Sequence, residues 1–358
     1  MKKVACSIAI LWVVLLFSSP STFALEKPTH KAINEKIALG SFNGFSLDTY
    51  LRNNLGFIDG TIEEVNGQKV FEWLKLGGSS EDEPPFTIPY LRSVNHFHNP
   101  LTDLGYSGIW GTGVLDGVSS IKWALSPLYM QNPGGFYSWY DVKNYYYLAL
   151  TSADRDIRSY NFAQTFRGLG QLMHLIQDVS VPEHTRDDGH PLGGYESWVA
   201  KPGNVNISNI GSVSFGGSLQ SIADLFDTNQ YNLTTGPNAT VLNPNIGLAE
   251  YTGANFLSWD TMFTLKFPYP SILSVQRWTD QTNNRQYLRK SGEGVPVDHL
   301  AATSFLYSYR QQYFPQYNEF LPLGMDSKVY QDYASLLLPR AVGYSAGLLN
   351  YFFRGTLE

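Results

Sequence analysis

The stretch Gly170-Gln-Leu-Met-His174-Leu-Ile-Gln-Asp178-Val-Ser-Val-Pro182-Glu-His184 decides how this chain is interpreted. On a helix, His174 and Asp178 stand four positions apart and project from one face. Pro182 lacks an N–H and biases Val181 away from helical dihedrals. The helix is therefore expected to end there, with His184 on the loop just past the terminus. Three ligand-type side chains then fall within eleven positions. The plain alternative is a buried histidine and a capping aspartate at a helix end. His184 and the outlying histidines favour metal binding.

Upstream, Ser138-Trp-Tyr-Asp141 and Thr151-Ser-Ala-Asp154 are capping-box-like starts. The second opens a long helix that carries Phe162, Phe166, Leu169 and Met173 toward His174. Gly168 and Gly170 cost that helix about 1 kcal/mol each against Ala. Close approach of another helix or of a metal explains keeping them. Downstream, His190 and Glu196 are six positions apart with Pro191 and two glycines between, so they cannot share a helical face. A flexible loop can still bring them to one ion.

Nearer the N-terminus, His30, Ile33 and Ile37 share one helical face, and Gly40 stops that helix. His30 points inward, either as a ligand or as a core histidine bonded to a carbonyl. Leu47/Leu51/Leu55 and Ile62/Val65/Val70/Leu74 repeat at helical spacing and lead into Gly77-Gly-Ser-Ser-Glu81-Asp82-Glu83-Pro84-Pro85, which is expected to be a loop. Its three acids are either a solvated turn or a source of ligands. Residues 105–137 show no clear period and imply irregular structure. Residues 201–245, rich in Gly, Ser, Asn and Thr, imply a looping insertion. Helical patterning resumes at Leu248, again from Asp298 to Tyr313 with His299 as a structural residue at a helix start, and finally from about Val329 to Phe353.

The whole chain has 358 residues, 43% of them hydrophobic and 15% aromatic, enough apolar surface for one large domain or two small ones. Lys2 and Lys3, an apolar run from Val4 to Phe17 and a small-residue stretch ending at Ala24 are expected to be an export signal over 1–24. The run is too short for a comfortable membrane span. The sole cysteine, Cys6, lies inside it, so a chain beginning at Leu25 has no thiolate and must hold metal through His, carboxylate or backbone groups. Removal of Lys2 and Lys3 takes the formal charge from −6 to −8, which offers no bulk attraction for phosphate polymers or anionic lipid.

His174, Asp178 and His184 match, at each spacing, the H-x-x-x-D-x-x-x-x-x-H signature of the zinc-dependent phospholipase C and S1/P1 nuclease superfamily, which the chain resembles. Asn95-His96-Phe97-His98-Asn99-Pro100 looks like that family's H-F-Y-D-P segment, with His98 in the Tyr place as a second-shell or surface residue. The phospholipase branch sets an aspartate ligand fourteen residues before that first His, here Asp82, with Glu81 the fallback. Family members place a ligand His shortly after a mature N-terminus whose amine and first carbonyl also bind zinc. Leu25 stands five residues before His30, where the nuclease branch normally has Trp. Tyr195-Glu196 is similar to the family's Y-E pair, whose partner His four residues earlier is Leu192 here, which leaves His190 as the candidate.

The resemblance implies an all-α fold, a single multi-helix domain over 25–358 that contains the 201–245 insertion. It implies up to three zinc ions. One takes Asp82, His96, His174 and Asp178; a second takes the Leu25 backbone, His30 and the bridging Asp178; a third takes His184, Glu196 and His190. Asp82 and Asp178 are the expected catalytic residues in zinc-dependent hydrolysis of phosphate esters. The expected substrate is a phospholipid head group or another phosphodiester. A single-strand nuclease acting on nucleic acid, and a zinc-binding member of the fold without catalysis, are the alternatives. The expected protein is an exported monomer, periplasmic or secreted, with no transmembrane segment after signal removal.

Overall fold

The computed structural model describes residues 26–83, 92–108, 111–113, 115–132, 134–190, 193–232, 245–292, 294–304 and 323–354. The expected signal, Leu25, Leu192 and part of the 201–245 insertion lie outside them. In chain order the helices are α1 (Lys27–Leu39), α2 (Leu47–Asn54), α3 (Val70–Ser80), α4 (Ser120–Ala124), α5 (Trp139–Thr151), α6 (Arg155–Asp178), α7 (Pro182–Thr185), α8 (Tyr195–Ala200), α9 (Ala223–Phe226), α10 (Leu248–Asn255) and α11 (Ser327–Phe353). A hairpin pairs β1 (Glu64–Val65) with β2 (Gln68–Lys69). An antiparallel sheet runs β3 (Val275–Asp280), β4 (Arg285–Lys290), β5 (Val297–Thr303) and β6 (Leu323–Gly324) in sequence order. No helix among the described residues is long and apolar enough to cross a membrane.

Helix α6 is the spine. The Asp154 carboxylate caps it by accepting from the Asp156 and Ile157 N–H groups. Every residue from Gly168 to Asp178 is buried, because α3 and α5 cover this half. The α3 contact is backbone against backbone. A Cβ on Gly170 would stand 2.2 Å from the Leu74 carbonyl oxygen, and one on Gly77 2.0 Å from the Arg167 carbonyl oxygen. These glycines let the helix carrying His174 approach the helix leading to Asp82. Helix α1 packs against both α3 and α6, and α11 touches α6, α1 and the β5 strand.

Four sequence expectations need correction. Gly77-Gly-Ser-Ser80 is not loop but the last turn of α3, since packing against α6 outweighs its weak helix propensity. Ile62 to Leu74 is not one helix: a 3₁₀ turn and the β1/β2 hairpin precede Val70, turning at Asn66 (φ 49°) and Gly67 (φ 84°). Pro182 does not only follow a helix but opens α7 at its first position, where its missing N–H costs nothing, so His184 is helical. From Asp298 the described residues form strand β5, not helix, with Tyr287↔Ala302 and Leu288↔Ala301 in register. A short apolar run buried on both faces carries no period that separates strand from helix. The fold is helix-rich with a sheet, not all-α. His299 sits on β5, its Nδ1 2.9 Å from Asp332 and its Nε2 3.2 Å from Asp280, tying α11 to the sheet.

Candidate metal centre

Six of the expected side chains, His30, His96, His174, Asp178, His184 and Glu196, are completely buried. His190 is buried too, its side chain 7% exposed, and Asp82, with its side chain 13% exposed, is the member most open to solvent. Three sets have ligand atoms within 4.8 Å of one another: His30, His174 and Asp178; Asp82, His96 and His174; and His184, His190 and Glu196. Each set can hold a metal ion. Helix α6 supplies His174 and Asp178 one turn apart, α1 supplies His30, the residues after α3 supply Asp82, a 3₁₀ turn supplies His96, and α7 and α8 supply His184 and Glu196.

Hydrogen-bond partners fix which ring nitrogen faces inward. His174 Nδ1 lies 2.8 Å from the Gly78 carbonyl oxygen, which can only accept, so Nδ1 carries the hydrogen and Nε2 presents a lone pair. His190 follows the same rule, with Nδ1 3.0 Å from the Asp188 carbonyl oxygen. For His30 the argument runs through two amides. The Asn34 Nδ2 donates to the Leu74 and Gly170 carbonyls, so its Oδ1 accepts from Gln177 Nε2 at 2.8 Å. Gln177 Oε1 must then accept from His30 Nδ1 at 2.7 Å, which leaves His30 Nε2 to face Asp178 Oδ1 at 3.2 Å. A metal-binding imidazole has this arrangement, its outer nitrogen held by an acceptor.

Asp178 stands at the convergence. Its Oδ2 lies 2.8 Å from His96 Nδ1 and 3.0 Å from His174 Nε2, while His174 Nε2 lies 3.3 Å from His96 Nδ1 and 3.5 Å from Asp82 Oδ1. Neither Asp178 oxygen, nor His30 Nε2, nor Glu196 Oε1 has a hydrogen-bond partner among the described residues. Two ligands held at about 2.0–2.1 Å by a tetrahedral ion stand roughly 3.3–3.4 Å apart. Lone pairs opposed at these spacings repel unless a proton or cation lies between them. His184 Nε2 and His190 Nε2 meet Glu196 at 3.2 and 2.7 Å.

Protons take that place in the metal-free chain. Burial alone lowers the His96 pKa, but the Asp178 carboxylate 2.8 Å away outweighs it and raises the group to about 10. His190 is likewise depressed by burial and pulled up to about 10 by Glu196. Burial raises Asp82 to about 7 against the lowering pull of His96 and His30. Burial also works to raise Asp178, yet the surrounding imidazoles hold it well below the usual carboxylate range.

Glu81, the alternative to Asp82, is engaged elsewhere. Its Oε2 accepts from Arg92 Nη2 at 2.7 Å and its Oε1 from Trp123 Nε1 at 2.8 Å, in a fully buried pair. The Arg92 guanidinium overcomes burial and holds Glu81 at about 2. Glu81 Oε1 stands 3.8 Å from His96 Nε2, behind the ring and away from the cluster. His98 is no surface residue: it is buried and bonded to Ser119 and Asp227. Sequence reasoning missed Asn34 and Gln177. The available signal was spacing, since Asn34 follows His30 by one turn and Gln177 adjoins Asp178. No family model, curated protein or solved structure matches this chain.

Proposed function

We propose that this protein is an exported zinc-dependent hydrolase of phosphate esters, acting in the manner of a phospholipase C. The observation that carries the reading is Asp178, a fully buried carboxylate whose two oxygens meet three imidazole nitrogens at 2.8–3.2 Å. The donor set is imidazole and carboxylate without sulfur, which suits zinc. Asp82, His96, His174 and Asp178 would hold one ion, His30 and Asp178 a second, and His184, His190 and Glu196 a third; the expected Leu25 donor to the second lies outside the described residues.

Bound there, zinc supplies Lewis acidity, lowering the pKa of a water and offsetting charge on phosphoryl oxygens. The chain supplies position and proton transfer. Gln177 and the Gly78 carbonyl fix the His30 and His174 rings, so the ligand atoms are aimed before substrate arrives. Asp82, partly open to solvent, would orient the attacking water or take its proton at Oδ1. No side chain needs to act as a nucleophile. The acidic net charge favours a zwitterionic head group over a polyanionic strand as substrate.

The test is hydrolysis of phosphatidylcholine, single-stranded DNA and a generic phosphodiester by zinc-replete protein, with and without chelator, beside Asp178→Asn. The expected result is chelator-sensitive release from phosphatidylcholine and its loss in the variant, because a neutral amide cannot replace a bridging carboxylate. Cleavage of DNA alone would move the protein to the nuclease class. Less than one zinc per chain, or zinc without hydrolysis of any of the three, overturns the proposal.

A further inference from the structure

A fourth group of metal-ligating side chains lies outside the centre just described. The ligand atoms of His98, Asp103 and Asp227 fall within 4.8 Å of one another. They come from three places: His98 follows the 3₁₀ turn of His96, Asp103 projects from the next loop, and Asp227 closes α9. His98 and Asp227 are nearly inaccessible, with side chains 1% and 4% exposed, whereas Asp103 is open to solvent. An ion can therefore enter from the Asp103 side and reach an imidazole fixed at the back.

The His98 ring is held as a ligand ring is held. Its Nδ1 lies 2.8 Å from Ser119 Oγ, and its Nε2 lies 2.7 Å from Asp227 Oδ2. Nε2 bonds directly to Asp227 Oδ2, and when Nδ1–H turns to the serine oxygen, which also accepts from the Ile121 N–H, the same Nε2 can meet an ion in place of that hydrogen bond. Glu250, also buried, lies close enough to Asp227 for the two charges to interact, while its own oxygens are met by the N–H groups of Thr228, Gln230, Tyr231 and Gly247. Among the described residues no lysine or arginine forms an ion pair with Asp103, Asp227 or Glu250. His98 is thus the one basic group placed against a concentration of carboxylates.

We propose that His98, Asp103 and Asp227 form a further binding site for a divalent transition-metal ion, zinc or manganese, with water completing its coordination. One imidazole nitrogen and two carboxylates suit these ions, and the nitrogen counts against calcium and magnesium, which take oxygen ligands. The site sits back to back with the larger centre. The His98 N–H donates to the His184 carbonyl at 3.0 Å, and the intervening Phe97 ring stacks on His184 at 4.3 Å. An ion there ties α9 and the His98 segment to the wall behind His184 without touching substrate.

The experiment measures metal content per chain after equilibrium dialysis of the whole protein against zinc alone and against manganese alone. It compares wild type with Asp103→Asn and Asp227→Asn. Asp103 has φ 58°, a backbone that asparagine adopts as readily, and its side chain is exposed, so Asp103→Asn leaves folding intact. Both variants are expected to hold one ion fewer than wild type and to keep any phosphodiester hydrolysis unchanged. Equal metal content in wild type and Asp103→Asn overturns the site and leaves His98 and Asp227 as a hydrogen-bonded pair. The comparison is independent of the hydrolase proposal, because a chain that hydrolyses nothing still loses this ion in the variants.

Discussion

Gln177 touches no expected ligand position except His30, yet the orientation of that ring depends on it. Its amide is locked in direction by Asn34 on one side, so its oxygen can only face the His30 Nδ1–H. Gln177→Met keeps the volume and removes both the acceptor for His30 and the donor for Asn34 Oδ1. Two buried polar groups then lack partners, at about 1–3 kcal/mol each. The expected outcome is an unfolding free energy lowered by that amount in urea titration of chelated protein, and a loss of one zinc per chain in replete protein because His30 is free to turn. Wild-type zinc content in Gln177→Met would show that the amide does not position His30. The contrast between Glu81 and Asp82 makes the same point at adjacent positions. Glu81 is held by Arg92 and Trp123 on the Nε2 side of His96, and Asp82 is left beside His96 Nδ1 and His174.

At the scale of elements, two glycines on long helices should respond to the same substitution with opposite signs. Gly170→Ala drives a Cβ to 2.2 Å from the Leu74 carbonyl oxygen, so α3 and α6 must separate. Overpacking of about 1–3 kcal/mol exceeds the roughly 1 kcal/mol gained in helix propensity, and the protein is destabilised. Gly347→Ala, inside α11, meets only Leu225 Cδ2 at 3.5 Å, so propensity prevails and stability rises by up to about 1 kcal/mol. Denaturant unfolding of both variants checks the pair of signs. The long helices were legible because their stripes and caps are strong: Asp154 caps α6, Ser138 and Asp141 form a capping box at α5, and α11 runs from Ser327. The β3–β6 sheet was not, since β5 is buried on nearly every residue and reads as helix or strand alike. The turn that makes it a meander lies in side-chain bonds, with Asp280 accepting from the Thr282 N–H. The ligand-type residues were legible by spacing. The amides that aim them were not, because a buried Gln announces no partner.

Across the whole molecule, metal binding at these clusters would be coupled to pH. In chelated protein, His96 keeps its proton up to about pH 10 because Asp178 outweighs burial, and the buried His190–Glu196 pair, with His190 drawn up to about 10 and Glu196 raised by burial to about 8, holds its proton through neutrality. The contribution of the two histidines to stability is therefore complete below the ordinary imidazole value of about 6.5 and is lost as pH rises through about 10. Asp178, held low, has the opposite sign: its contribution is present above the ordinary carboxylate value and is lost as pH falls through its depressed one. A cation entering these groups meets imidazolium where it needs a lone pair, so each such proton must leave as the ion binds. Zinc uptake near neutral pH should thus release on the order of one proton from each of the two histidines, and apparent affinity should rise from about pH 6 to about pH 8. Calorimetric titration in buffers of different ionisation enthalpy measures the release directly. Ions bound there would also link α1, α6, α7, α8 and the His96 segment, so chelation should lower the melting temperature. Zinc binding without proton release, at an affinity independent of pH, would mean that the ion binds away from His96 and His190.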